Sequence, residues 1–309
     1  MAAFDRHALH ATRSRRDGWR DTWRGYRTAA RLGWRVEANW ADPILFLTYS
    51  VAKPLAGALI LVVMLEVVSG GGADEYRAFI VVGSALWSFV IAGLSGLAMS
   101  VLDDRERYRM LKYLYVSPTS LAVLLLGRGT ARFAMGGIGA GVTLAVGVLF
   151  LGVPFDPAVM DMPLLLASMA LGLSGVIALG VVFAAVVLQT RQDSWSYPEA
   201  VAGALFLLVG AVFPLAVLPM PVQALGLVTP LTWWVAAVRE ALFPDAVSSI
   251  AGPGSLYTRL TGVTEPDRWV LLICLLATTV LVTLGAMLTF RVSERRAKDR
   301  GLIDQTTGT

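Results

Sequence analysis

The sequence is poor in the residues that build most enzyme and metal sites. It has one cysteine, Cys274, two histidines, His7 and His10, and three lysines among 309 residues. A single cysteine inside an apolar run excludes an intrachain disulfide framework and a thiolate metal site. His7 and His10 stand three apart without a nearby acidic or thiol partner, so they read as part of a solvated terminus and no metal is expected. A P-loop requires a lysine followed by Ser or Thr after a glycine-rich turn. The lysines sit in Ala52-Lys53-Pro54, Leu111-Lys112-Tyr113 and Ala297-Lys298-Asp299, and none fits. No cofactor is therefore expected in this chain. Charge is scarce as well, at 16%, against roughly a quarter in soluble domains.

What replaces charge is apolar length. Hydrophobic residues make up 56% of the chain. Charged residues crowd into the first 42 positions, Asp103 to Lys112 and the last 19, with apolar runs of twenty or more between them. That is the length needed to cross a hydrocarbon core of about 30 Å. A water-soluble enzyme is excluded. An intramembrane enzyme is disfavoured too, because no His or Asp falls within a span and no catalytic dyad converges there. Six spans are expected: within Pro43–Val68, Phe79–Leu102, roughly Phe133–Val153, Pro163–Leu188, Ala200–Leu218 and Trp269–Phe290. A lipid-exposed segment must satisfy its own backbone hydrogen bonds, so the spans are helices, and strand alternation for a barrel is absent. The first run is too long for a cleaved signal and is read as retained. The expected division is a cytoplasmic N-terminus over 1–42, a six-helix membrane domain over 43–290 and a cytoplasmic tail over 291–309.

Arginine and lysine set the orientation. Placing the N-terminus inside puts 21 of the 26 on cytoplasmic segments and four on outer ones, with Lys53 inside the first span. Such a bias favours both termini in the cytoplasm. Between Thr22 and Glu37, Trp23, Tyr26, Ala30 and Trp34 recur at steps of three and four, and Arg24, Arg27, Arg31 and Arg35 follow one residue behind. Aromatic and basic stripes side by side suit a helix lying in the membrane interface; packing on a partner subunit is the other reading.

The loop after the second span runs Asp103-Asp104-Arg105-Glu106-Arg107-Tyr108-Arg109-Met110-Leu111-Lys112-Tyr113-Leu114-Tyr115-Val116-Ser117-Pro118. It is expected to form an amphipathic helix of about three turns, with an i,i+4 pair such as Asp103–Arg107 and a mixed-charge face for a partner. A plain capped loop is the alternative. Beyond the fifth span, Pro219, Pro221 and Pro230 interrupt the chain, and Leu231–Leu242 reads as a helix too short to span, hence interfacial or re-entrant.

These stretches resemble the permease subunits of the type-2 ABC exporters, here as a stand-alone membrane domain. The family's coupling element has an Arg-Glu-rich start, then Gly-Thr-Leu-Glu, then a Leu-rich turn ending in Ser/Thr-Pro. Leu111, Leu114, Ser117 and Pro118 match it, while Arg109 stands where Gly is usual and Lys112 where Glu is usual. Phe213-Pro214-Leu215-Ala216-Val217-Leu218-Pro219, followed by Val228-Thr229-Pro230-Leu231-Thr232-Trp233, is similar to the family's fifth-span ending and re-entrant loop, and Asp42-Pro43 is a weaker third match. The resemblance implies two permease chains, a homodimer being the first expectation, above two separate ATPase subunits that bind the ATP. It also makes Arg105, Glu106, Arg107, Arg109, Leu111, Lys112, Leu114, Ser117 and Pro118 the ATPase-coupling residues, with the interfacial helix transmitting force beside them.

Three further features bear on transport. Gly136, Gly137, Gly139, Gly141 and Gly147 of span three and Gly172, Gly175 and Gly180 of span four are read as close-packing positions, Gly137 and Gly141 having the small-xxx-small spacing. Lys53 either snorkels to the cytoplasmic edge or faces the pathway, and Glu66 is expected to reach water at the outer end. Phe213, Pro214 and Pro219 are placed at an outer gate, since interrupted backbone needs protein or water to cover it. Few intramembrane charges favour an amphipathic drug-like or lipid-like substrate. A lipid-linked glycan, or a non-transporting anchor or sensor for an ATPase, is the alternative.

Overall fold

The chain folds as helices throughout the part that the computed structural model describes, residues 15–38, 48, 52–69, 74–116, 119–189, 196–244 and 247–299, with no β-strand among them. In chain order the α-helices are α1 (Arg15–Ala38), α2 (Lys53–Ser69), α3 (Asp74–Leu102), α4 (Leu111–Val116), α5 (Leu121–Phe150), α6 (Met162–Gln189), α7 (Ser196–Leu208), α8 (Met220–Val228), α9 (Pro230–Leu242), α10 (Leu256–Thr261) and α11 (Arg268–Asp299). A π-helical turn, Asp103–Arg107, extends α3.

Four helical stretches are long and apolar enough to span: Tyr76–Arg107, Leu121–Phe150, Met162–Gln189 and Arg268–Ala297. The first is 67% buried and the last 22%, so α3 is the axis of the bundle and α11 its flank. α3 packs on α5 and α6, α11 on α6, α1 on α5, and α9 into the angle between α6 and α11. Trp234, Phe79, Leu94 and Leu231 are wholly enclosed where α3 and α9 meet. On α11, by contrast, Ile273, Leu281, Leu284 and Leu288 are exposed. Their apolar side chains suit a lipid surface, on which outward hydrophobes carry no penalty.

Among the described residues six full spans are not reached: four helices are long enough, or five elements when one bent helix pair is counted as a span. The described part of the first is the 17-residue α2, and the fifth is the 13-residue α7. That fifth helix ends at Leu208 rather than at the expected Leu218. Hydropathy is continuous there, but Gly210 adopts φ +70 and Pro214 lacks an N–H, so the backbone turns instead of continuing. The turn leads to a 3₁₀ turn, Leu215–Val217, and then to α8 and α9, which meet at 82°. This bent pair lies where an interfacial or re-entrant helix is expected, around Leu231–Leu242, and its length and apolarity suit either a broken span or a re-entrant loop. Thr229 at the bend is capped by its own hydroxyl on Gly226 O, and Thr232 donates to the same carbonyl.

Glycine packing is local. A Cβ on Gly136 would stand 2.7 Å from Ala92 and one on Gly172 would stand 2.0 Å from the Trp234 ring, whereas Gly141 faces open space and Gly137 touches only the edge of Phe89. The seams within this chain therefore run through Gly136 and Gly172. The Gly137–Gly141 pair contributes little to them.

Candidate functional site

One end of the bundle gathers the charges. Two consecutive acids, Asp103 and Asp104, close α3, and two arginines one turn apart, Arg128 and Arg132, face them from α5. Arg128 Nη1 lies 2.7 Å from Asp104 Oδ1, with both side chains buried. This is a charge contact and not an aligned hydrogen bond, for neither carboxylate oxygen of Asp104 accepts one. Arg132 donates to Asp103 Oδ2 at 2.9 Å and places Nε 2.7 Å from Glu37 of α1. Arg105 turns inward, donating to Val187 O at the end of α6 (3.1 Å) and to Glu106 (2.9 Å). Asp103 is thus engaged by Arg132 and not by Arg107, as an i,i+4 helix pair would require. One end of four helices, α1, α3, α5 and α6, is tied together by groups whose mutual attraction is strengthened by exclusion of water.

The expected three-turn amphipathic helix is two pieces. The π turn stops at Arg107, and Arg109 takes φ +50 before α4 starts at Leu111. A non-glycine residue there costs roughly 1–2 kcal/mol. This is the position at which the resembled motif carries Gly. Leu111 is buried against Leu121, Leu125 and Phe290, and Leu114 packs beside them. Arg107, Tyr108, Arg109 and Tyr113 are exposed, Tyr113 at 70%. The residues expected to contact an ATPase therefore divide: Arg105, Leu111 and Leu114 face the bundle, Glu106 is half-buried, and Arg107 and Arg109 face out. Ser117, Pro118 and the side chain of Lys112 lie outside the described residues, as do Asp42-Pro43, His7, His10 and the Lys53 side chain.

α1 crosses α5 closely. A Cβ on Gly33 would meet Arg128 O at 2.7 Å, one on Gly127 would meet Tyr26 O at 2.7 Å, and Tyr26 Oη is bonded to Thr130 Oγ1 at 2.8 Å. Ala29 is buried in this contact, while Trp23, Trp34, Arg24, Arg27, Arg31 and Arg35 remain exposed. The contact face of α1 is its small-residue face. The aromatic and basic residues of the two stripes, apart from Tyr26 and Ala30, point away from the bundle.

The opposite end is held by a residue that hydropathy did not single out. Arg239 of α9 is buried and donates to Gly210 O (2.7 Å), Ala211 O (2.6 Å) and Phe79 O (2.7 Å), with its guanidinium 3.4 Å from the Phe79 ring centroid. By sequence it counts among the four cations of the outer segments, on the interfacial or re-entrant helix Leu231–Leu242. Here it caps the carbonyls that the break after α7 leaves open, and so stabilises the turn carrying Phe213 and Pro214. Pro214 starts the 3₁₀ turn and Pro219 starts α8. Gln223 ties α8 to α10, donating to Leu218 O and accepting from Leu256 N at 2.6 Å. Glu66 pairs with Arg77 at the same end.

Between the two ends lies a cavity of about 610 Å³ bounded by α2, α3 and α5, with Phe206 of α7 as one wall and Glu37 and Arg132 at its charged extremity. No group of three or more metal-ligating side chains occurs among the described residues.

Comparison with known proteins bears on this architecture. The ABC-2 type transporter family matches residues 32–243, more than half of the chain, from the last turns of α1 through α9. The search of curated proteins finds no match. The matched stretch contains the charged end of the bundle, the cavity and the bent helical hairpin together, and the chain belongs to the ABC-2 type transporter family as one of its membrane permeases.

Proposed function

We propose that this permease is the membrane subunit of an ATP-driven exporter in the cytoplasmic membrane, moving an amphipathic drug-like or lipid-like substrate. It acts with a second permease chain and two separate ATPase subunits. In this reading α2 and α7 complete six passes, both termini lie in the cytoplasm, and the charged end of the bundle faces the ATPases. The arginine bias supports that orientation.

The observation that carries the proposal is the division of the segment Asp103–Val116. Its inner half is tied to α5 by the buried Asp104–Arg128 pair and the half-buried Asp103–Arg132 pair, to α6 by Arg105 donating to Val187 O, and through Arg132 to Glu37 of α1, while its outer half presents Arg107, Tyr108, Arg109 and Tyr113. A partner gripping the outer residues moves four helix ends at once. That is a mechanical linkage, and it needs no catalytic group in this chain.

The test is reconstitution with a P-loop ATPase in lipid nanodiscs and proteoliposomes. Replacing Arg107 and Tyr113 by Ala is expected to reduce ATPase co-purification and substrate-stimulated hydrolysis at least tenfold without altering stability. Unchanged stimulation refutes the linkage. Hydrolysis that no compound stimulates, with none moved, assigns the chain to an anchor instead. Stimulation only by lipid-linked sugars makes it a glycan exporter.

A further inference from the structure

The cavity between α2, α3 and α5 has a polar stripe along an apolar wall. Ser84 and Ser95, eleven residues apart on α3 and so about 16 Å along the axis, both line it. Their hydroxyls are buried and have no hydrogen-bond partner. Serines within helices ordinarily bond back to the carbonyl four residues earlier, as Ser100 does to Gly96 O. Both hydroxyls are too enclosed for a guest atom to reach, so the two serines give the cavity narrow side chains along its wall rather than contacts of their own. The apolar wall is Trp87 against Phe206, with ring centroids 4.8 Å apart.

The charged extremity has a sign. Glu37 and Asp103 share one guanidinium, Arg132. Arg132 gives its directed hydrogen bond to Asp103 and only an off-axis contact to Glu37. Two carboxylates against one cation leave a surplus negative charge, and Glu37, which lines the cavity, is the carboxylate left under-bonded. The volume lies within the roughly 300–1,000 Å³ that accommodates drug-sized molecules.

We infer that this cavity binds an amphipathic amine in its protonated form, the ammonium at Glu37 and the apolar body along Trp87 and Phe206. This narrows the substrate class and rests on the exporter reading, but the binding site itself can be tested without transport.

The probe is dansylcadaverine, a fluorescent primary amine, compared with its terminal alcohol and terminal carboxylate analogues, titrated onto the full chain in nanodiscs of neutral lipid. The amine is expected to bind at least tenfold more tightly than either analogue. Glu37→Gln is expected to abolish that preference while leaving the affinity for the alcohol unchanged, which also shows that the variant is folded. Gly57 lines the cavity and a Cβ there meets nothing within 4 Å, so a side chain at this position starts into open space, and Gly57→Phe is expected to weaken all three probes at least tenfold. Equal affinity for the three probes, a preference that survives Glu37→Gln, or indifference to Gly57→Phe overturns the inference. So does loss of a wild-type dimer in Gly57→Phe, which assigns the cavity to a second copy of the chain. Amine binding without ATP-driven movement removes the exporter reading and keeps the site. Movement undiminished in Gly57→Phe does the reverse.

Discussion

Arg239→Met offers the sharpest test of how the turn after α7 is held. The native guanidinium is buried, donates to three carbonyls and pairs with no carboxylate among the described residues. Phe79 O lies within α3 and keeps a helical partner when Arg239 is removed, but Gly210 O and Ala211 O belong to the turn after α7 and are left open. Each unsatisfied buried acceptor costs about 1–3 kcal/mol. Methionine fills much of the volume and relieves the desolvation of a cation, which offsets part of that loss. The net expectation is a destabilisation of about 3 kcal/mol, roughly a hundredfold in the unfolding equilibrium. Arg239→Lys retains the charge but not the planar fork, so it is expected to fall between the two. The assay is equilibrium unfolding in mixed micelles, with proteolysis of the 209–219 segment as a local readout. Gly83 supplies a second route to the same clamp, because a Cβ there would stand 1.9 Å from Ala211 O and 2.5 Å from Arg239 Nη2. Gly83→Ala and Arg239→Met are therefore expected to be strongly non-additive. A methionine variant as stable as wild type, with the turn equally protected, refutes the argument that Arg239 holds it.

Other expectations follow from the same contacts. Asp104→Asn and Arg128→Met are each expected to cost about 3–5 kcal/mol by stranding the other buried group, and the double variant less than their sum, as a double-mutant cycle measures. Arg109→Gly is expected to raise stability by about 1 kcal/mol in a denaturant titration, because the residue already adopts φ +50. Gly141→Ala is expected to be neutral or stabilising by up to about 1 kcal/mol and Gly136→Ala destabilising, compared by the same titration. Gly172→Ala is expected to displace the Trp234 ring, read as a shift in tryptophan emission that Trp234→Leu removes.

The sequence made the long spans legible because lipid permits only one way of satisfying their backbone. It was less informative wherever polarity had a tertiary purpose. Arg128 and Arg132 looked like loop charges, so the third apolar block was read from Phe133, yet they lie on a helix that begins at Leu121 and are matched to Asp103 and Asp104. Two acids in succession and two arginines one turn apart were a signal, but nothing in one sequence says that they meet. The fifth span was overextended for the opposite reason: a buried turn is as apolar as a helix, and only Gly210 and Pro214 marked the break. The segment expected to contact an ATPase reads as one three-turn helix in the sequence, but its division into inward and outward faces depends on the Arg109 turn, which periodicity could not supply.

Trp234 gives the bundle a constraint of its own. Its indole occupies the notch at Gly172 and meets Phe89 edge to face at 6.3 Å, so it works as a key seated in a lock between the hairpin and two long helices. Sliding α6 along α9 would drive backbone into a ring with no room to yield. In the exporter reading proposed above, tilting of the central helices then carries the hairpin along as a single lever, and the turn clamped by Arg239 shifts in step with the charged end rather than by a latch of its own.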